Sequence, residues 1–375
     1  MLSTNPVRAI LVTLLLLPLT ACDGGSEPKA VPTSRPTTST APRAESAASS
    51  GASIPAQQVA SDAPGASPFP DWMTRPTADG SACTAPTTRV SSADQLQDAL
   101  ASAGPGTVID LAPGTYVGRF VITASGTDDK PARLCGPVDA VLDGGDRSKG
   151  YVLHLDGAQH WVLHGFSVHN GQKGVVADGT TGTTISGLTV YGTGDEAVHL
   201  RRNSTDNLVP GNTISDTGSK TPKFGEGVYI GTATSNWCDI TDCQPDRSDR
   251  NQVRGNAIYA TSSEPVDLKE GTTGGILEGN QFDGSTISGA DSWVDVKGND
   301  WKISGNVGRH APLDGFQTHD VEDGWGTRNT FSGNTGSLAD PKRFLIAMRP
   351  VNDNRASCDN RLLGEVGALS NEACR

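Results

Sequence analysis

Asp267, Lys269, Asp295 and Lys297 stand in two copies of one pattern, VDLKEG at 266–271 and VDVKGN at 294–299. Carboxylate and amine alternate there with aliphatic residues, the spacing of a strand that turns one face to a core and the other outward. If two such strands lie side by side, their four charges share one surface. Amines can neutralise an anionic substrate or, where burial and neighbouring cations lower their pKa, remove a proton. Carboxylates can hold a hard cation such as Ca2+. The bland alternative is a surface ion-pair network, worth about 0–1 kcal/mol per exposed pair.

The pattern belongs to a longer series: VLHLD (152–156), VVAD (175–178), VHLR (198–201), VYIG (228–231), VDLK, VDVK, FQTH (316–319) and IAMR (346–349). Aligned, these strands give one outward column of His154, Val176, His199, Tyr229, Asp267, Asp295 and Gln317. A second column holds Asp156, Asp178, Arg201, Gly231, Lys269, Lys297, His319 and Arg349, and Glu196, Glu226, Glu264 and Asp314 precede four of the strands. Such density of functional groups suits β-elimination on a uronate polymer. That reaction removes a weakly acidic proton beside a carboxylate, which a cation must neutralise. Lys269, Lys297 and Arg201 are the candidate catalytic cations, with Lys269 as base. Glu226, Glu264, Asp267 and Asp295 are the candidate Ca2+ ligands. Tyr229, His199, Gln317 and His319 are candidate substrate contacts, with Trp293, immediately ahead of VDVK, as a sugar-stacking platform.

The elements that must position these residues follow from a repeat. Gly-Asn pairs fall at 211–212, 255–256, 279–280, 305–306 and 333–334, with Gly165-Phe166 and Gly187-Leu188 in the same place earlier. One short strand per 22–28 residues is the period of a β-solenoid coil, and the single 44-residue interval holds an insertion near 233–250. The expected fold is all-β, a right-handed parallel β-helix of about eight coils. Its recurring asparagines would form an internal ladder. A short amphipathic helix after Ser92, with Gln95 completing a capping box, would close the N-terminal end. RLLGEVGAL (361–369) is a candidate C-terminal cap.

Residues 1–22 read as an export signal, and Leu19-Thr20-Ala21-Cys22 resembles a lipobox that would lipidate Cys22. An ordinary signal peptide with an incidental Cys is the alternative. Residues 23–78 are poor in aliphatic bulk and read as a disordered tether, leaving 79–375 as the β-helix domain. Membrane contact would run through the lipid anchor alone, at an extracytoplasmic location. The six cysteines besides Cys22 suggest disulfides, with Cys83–Cys135, Cys238–Cys243 and Cys358–Cys374 as the sequence-local pairings. A net charge of −12 argues against a nucleic-acid binder. The expected partner is an acidic polysaccharide, and the expected state is a monomer.

DQLQDALASAGPGTVIDLAPGTYVGRF followed by SGTDDKPARLCG (125–136) resembles the N-terminal coil of β-helical polysaccharide lyases, the alginate lyase and chondroitinase B group first and the pectate lyases next. SSEPVDLKEGTTGGILEGNQF (262–282) is similar to that group's catalytic stretch. The resemblance implies Glu264 as a Ca2+ ligand, Lys269 as the base and Gly279-Asn280-Gln281-Phe282 as the closing turn. Ser262 stands where a first ligand Glu would be. The group's catalytic Arg has no match in SWVDVKGND, where Lys297 is the nearest cation. A polygalacturonase-type hydrolase needs clustered Asp, but its motifs are missing. The four His of HLDGAQHWVLHGFSVHN (154–170) lack metal-ligand spacing. Trp237, Trp301 and Trp325 are further aromatic candidates, with turn packing as their alternative role. The main rival to a lyase is a non-catalytic glycan-binding solenoid.

Overall fold

The computed structural model describes residues 65–77 and 83–375. Across them the chain winds through three parallel sheets of eleven, ten and ten strands, each strand paired with its counterpart one coil away. This is the expected parallel β-helix, with about ten coils instead of eight. The extra coils lie at the ends, where strands such as Phe120–Ile122 and Ala368–Ser370 carry none of the repeating pattern. The stretch read as a C-terminal cap thus supplies two short strands, Arg361–Leu362 and Ala368–Ser370, that continue the stack.

The register in the sheet that carries the charged columns is the one the alternation implies. Val175, Val198, Val228, Val266, Val294, Phe316 and Ile346 pair in sequence and are all buried. Like stacked on like builds a continuous apolar interior and turns the intervening residues outward.

Each Gly-Asn pair makes a corner. Gly211, Gly255, Gly279, Gly305 and Gly333 all take φ between 61° and 66°, a left-handed conformation that glycine adopts without Cβ strain. The following Asn side chains form the ladder: each Nδ2 donates to the next Oδ1 from Asn212 through Asn256, Asn280, Asn306 and Asn334 to Asn360, at 2.8–2.9 Å. Asparagines at a second corner stack too, with Asn207 Nδ2 donating to Asn251 at 3.0 Å and Asn329 N to Asn354 Oδ1 at 2.8 Å.

Helix Ala93–Ala101 caps the N-terminal end as read, burying Leu96, Ala99 and Leu100, with the Ser92 side chain accepting from Gln95 N. All three expected disulfides are present. Residues 1–64, with the signal, Cys22 and most of the tether, lie outside the described residues. The tether's last part departs from the disordered reading: Ser67 N donates to Asp216, Trp72 Nε1 to Asp283 and Thr74 N to Gln281, while Met73 packs with Ala257 and Tyr259. Phe69, Trp72 and Met73 provide apolar bulk that the composition of the whole stretch diluted.

Candidate active site

The floor of the site is the sheet running through strands Lys173–Asp178, Val198–Arg201, Val228–Ile230, Val266–Leu268, Ser292–Val296 and Asp314–His319. Its register sets His199 beside Tyr229, Tyr229 beside Asp267, Asp267 beside Asp295 and Asp295 beside Gln317. The columns read from the sequence are therefore real neighbours, one rung of about 4.8 Å apart.

Asp267 is the hub. Lys269 Nζ lies 2.7 Å from one of its oxygens, and Lys297 Nζ donates to both at 2.9 and 3.0 Å. Lys297 also reaches Asp295 at 2.9 Å, and His319 Nε2 lies 3.3 Å from Asp295. The expectation that neighbouring cations would lower the lysine pKa values fails here. Burial does work to lower them, but the Asp267 carboxylate, joined for Lys297 by Asp295, outweighs it and holds both well above the ordinary amine value. Both are ammonium groups at neutral pH.

Glu226 comes from one coil and Glu264 and Asp267 from the next, and each offers an oxygen within 4.8 Å of the others. Burial and then Glu196, Asp267 and Glu264 push the Glu226 carboxyl well up. Burial, Asp267 and Asp295 raise Glu264 to about 7. Glu226 Oε2 is buried with no hydrogen-bond partner. Four carboxylates face two ammonium groups, and this excess, with an orphaned oxygen and an all-oxygen donor set, fits a hard divalent cation such as Ca2+. Ser262, in the place of the expected first ligand, donates instead to Pro222 O at 2.8 Å, and Glu226 fills the role from the preceding coil. Asp295, also read as a ligand, stands outside the trio with its oxygens engaged by Lys297, Ser292 and His319. Burial would raise its pKa, but Lys297 and His319 hold it well below the carboxylate range.

Tyr229 divides this charged cluster from a cleft of about 390 Å³ over the preceding coils. Lys269 Nζ sits 5.0 Å from its ring centroid on one side, and the His199 ring packs edge-on at 4.4 Å. Burial, then Asp267 and Glu226, keep its phenol protonated well above the usual range. No side chain or backbone group among the described residues hydrogen-bonds its hydroxyl. The cleft lining adds Lys173, Glu196 and Arg201 from the sheet, Phe224, and Asn236, Asp239 and Ile240 of the insertion. Asp246, fully buried, shapes that insertion by accepting from Arg202 N, Asn203 N, Thr232 Oγ1 and Ser248 Oγ.

Several candidates are committed elsewhere. Arg201 is held by Asp178, at 2.6 Å from its Nε, and donates to Tyr151 OH at 2.9 Å. His199 is buried, 3.2 Å from Lys173 Nζ through Nδ1 and 2.9 Å from Gly231 O through Nε2. Burial and then Lys173 push its pKa down, so the ring is neutral. Gln317 is buried and donates to Asp314 at 3.3 Å. His319 remains partly exposed, at 31%.

Trp293 is no sugar platform. It has no exposed surface, its Nε1 donates to Arg309 O at 3.0 Å, and its ring fills a slot cleared by Gly308, Gly315 and Gly336. A Cβ on those glycines would stand 2.4–2.7 Å from the indole. Trp237 and Trp301 are buried as well, whereas Trp325 stays partly exposed under the Arg247 guanidinium at 5.5 Å. Lys173, paired with Glu196 at 2.7 Å, was missed. Extending the acidic column by one coil would have found it, because Lys173 precedes Val175 as Glu196 precedes Val198.

No family model matches the chain, and no curated protein does. Among solved structures, the alginate lyase from Paenibacillus sp. str. FPU-7 is similar at 34% identity with a TM-score of 0.72, over 77% of this chain and 100% of that one. A pectate lyase, Pel9A, shares the fold at 14% identity with a TM-score of 0.58, over 77% of this chain and 79% of its own. A rhamnogalacturonan lyase does so at 12% with a TM-score of 0.51, over 65% and 68%. With a shared solenoid, and identity at that level over the whole of the Paenibacillus enzyme, the chain belongs to the family of that alginate lyase.

Proposed function

We propose that this protein is a lyase that cleaves an acidic polysaccharide by β-elimination, with alginate as the first substrate to try. The observation that carries the reading is the Tyr229 hydroxyl, unengaged at the edge of a cleft and flanked by the Lys269 ammonium. In the reaction the C5–H bond breaks, its electron pair forms the C4=C5 double bond, and the C4–O bond breaks as the departing oxygen gains a proton. Tyr229, a protonated phenol in the free protein, is placed to give its proton to the departing oxygen; the C5 proton passes to solvent water or hydroxide, and solvent then returns a proton to the phenolate. Lys269, held as an ammonium, balances the substrate carboxylate and the charge that spreads onto it in the transition state. Lys297 keeps Asp267 from leaving that ammonium fully neutralised, since it draws on the same carboxylate. A cation held by Glu226, Glu264 and Asp267 would supply further charge neutralisation at the uronate.

The reading also includes export. The three disulfides support an oxidising compartment, consistent with a signal at 1–22 and an anchor at Cys22. A non-catalytic glycan-binding solenoid is favoured by one observation, that both lysines are already paired in the free protein.

Ultraviolet absorbance separates the two. The protein would be incubated with alginate, polygalacturonate and chondroitin sulfate, each with calcium and with chelator. A lyase gives rising absorbance from unsaturated ends on at least one polymer. Tyr229→Phe and Lys269→Ala should each cut that rate by about 10²-fold or more. Binding without any absorbance rise would support the glycan-binding reading.

A further inference from the structure

Among the cations of the site, Lys173, Arg201, Lys269 and Lys297 all have carboxylate partners. The uncommitted charge is found on one short loop, GSKTPKFG at 218–225. Lys220 and Lys223 are exposed there, and among the described residues neither forms an ion pair. Between the lysines and the cleft stands Phe224, 47% exposed and, among the described residues, the one aromatic among the large apolar side chains left in solvent. Its ring lines the cleft, and Lys223 Nζ lies 4.8 Å from the ring centroid.

The loop is clamped rather than loose. Lys220 N donates to Gly194 O at 2.8 Å and Ser219 Oγ to Thr193 O at 2.9 Å, tying it to the preceding coil. Ser262 Oγ donates to Pro222 O at 2.8 Å from the following coil. The fit against that serine is close: a Cβ on Gly218 would lie 1.7 Å from Ser262 Oγ, and one on Gly225 2.0 Å. Within the loop, Phe224 N donates to Thr221 O at 2.8 Å. An apolar ring held in water by this many contacts costs free energy unless something covers it, and holding it in advance spares a ligand the ordering cost.

We propose that loop 218–225 is the substrate-capture element of the cleft. Phe224 stacks on the apolar face of a pyranose ring, and Lys220 and Lys223 bind carboxylates of the same acidic chain. Ser262 is the positioning residue that mounts the platform. The proposal deepens the lyase reading and rests on it only for the acidic polysaccharide as ligand.

The test uses full-chain Phe224→Ala, Phe224→Trp and the Lys220→Gln/Lys223→Gln double variant, with alginate and polygalacturonate as probes. Polymer affinity is measured by affinity electrophoresis, beside KM and kcat from absorbance. Phe224→Ala should weaken binding and raise KM by about tenfold with kcat little changed. Phe224→Trp should restore both. The double lysine variant should weaken binding at low salt, a difference that shrinks as salt screens the exposed charges. Melting temperatures near that of the unaltered protein would show that the losses are not unfolding. Unchanged affinity and KM in both the alanine and the lysine variants would overturn the proposal, even with lyase activity intact. Polymer binding that is lost in these variants while no polymer is ever cleaved would uphold the loop and refute the lyase reading. Failure of the unaltered protein to bind either polymer would overturn both.

Discussion

Asp178 shows how a single side chain on this face is governed by its neighbours. Burial would raise its pKa, but His154, 2.9 Å away, and the Arg201 guanidinium hold it well below the carboxylate range. A depressed carboxylate contributes stability above its unfolded pKa near 3.9, and the contribution is lost as pH falls through the folded value. Asp178→Asn should therefore lower stability by about 3 kcal/mol at pH 7, where it leaves a buried guanidinium unpaired. Thermal melts of the two proteins should converge as pH falls below about 4. The lysines obey the same logic in reverse: Lys269 and Lys297 differ from free amines because Asp267 sits between them, which no inspection of either residue alone reveals.

At the scale of the element, the coil is held by its corners as much as by its core. Asn280 takes part in the ladder in both directions, donating through Nδ2 to Asn306 and accepting at Oδ1 from Asn256 N and Nδ2. Asn280→Ala removes these bonds and orphans buried groups on two coils, so a loss of about 1–3 kcal/mol per orphaned group is expected, read as a shift of the urea midpoint. The corner residues were legible in the sequence because Gly-Asn recurs at nearly constant spacing. The slot for Trp293 was not, since its walls, Gly308, Gly315 and Gly336, are contributed by the two following coils and look in sequence like ordinary turn glycines. The capture loop escaped notice for a similar reason: Phe224 and the two lysines acquire meaning only where the loop meets the cleft.

For the whole molecule, the carboxylate trio links two adjacent coils at the middle of the solenoid. A cation bound there would stabilise the native stack over the unfolded chain by mass action, about 2.7 kcal/mol at a concentration one hundred times its Kd. Calcium added to chelator-treated protein should raise the melting temperature, and Glu226→Gln should remove most of that rise. Equal melting with calcium and chelator would show that protons on Glu226 and Glu264 balance the charge instead. Residues 65–77 lie across successive coils from Asp216 to Asp283, at the strands that precede the charged face in each coil, so the chain leaving the solenoid toward its N-terminus is tied down along one side.

The sequence by itself determined the coil repeat, the inward and outward faces, the register of the charged columns and the ladder. These follow from a period of two along each strand and a period of one coil between strands, and both are local patterns that survive without knowledge of the rest of the chain. Only the tertiary structure decided that both lysines are ammonium groups, that Glu226 replaces Ser262 beside Glu264, that Trp293 is core, and where the cleft opens. Those outcomes depend on distances of a few ångströms, mostly between residues brought together from different coils, or on walls built by loops whose residues follow no repeat. Charge state and access are properties of such three-dimensional neighbourhoods, and a pattern along the chain does not contain them.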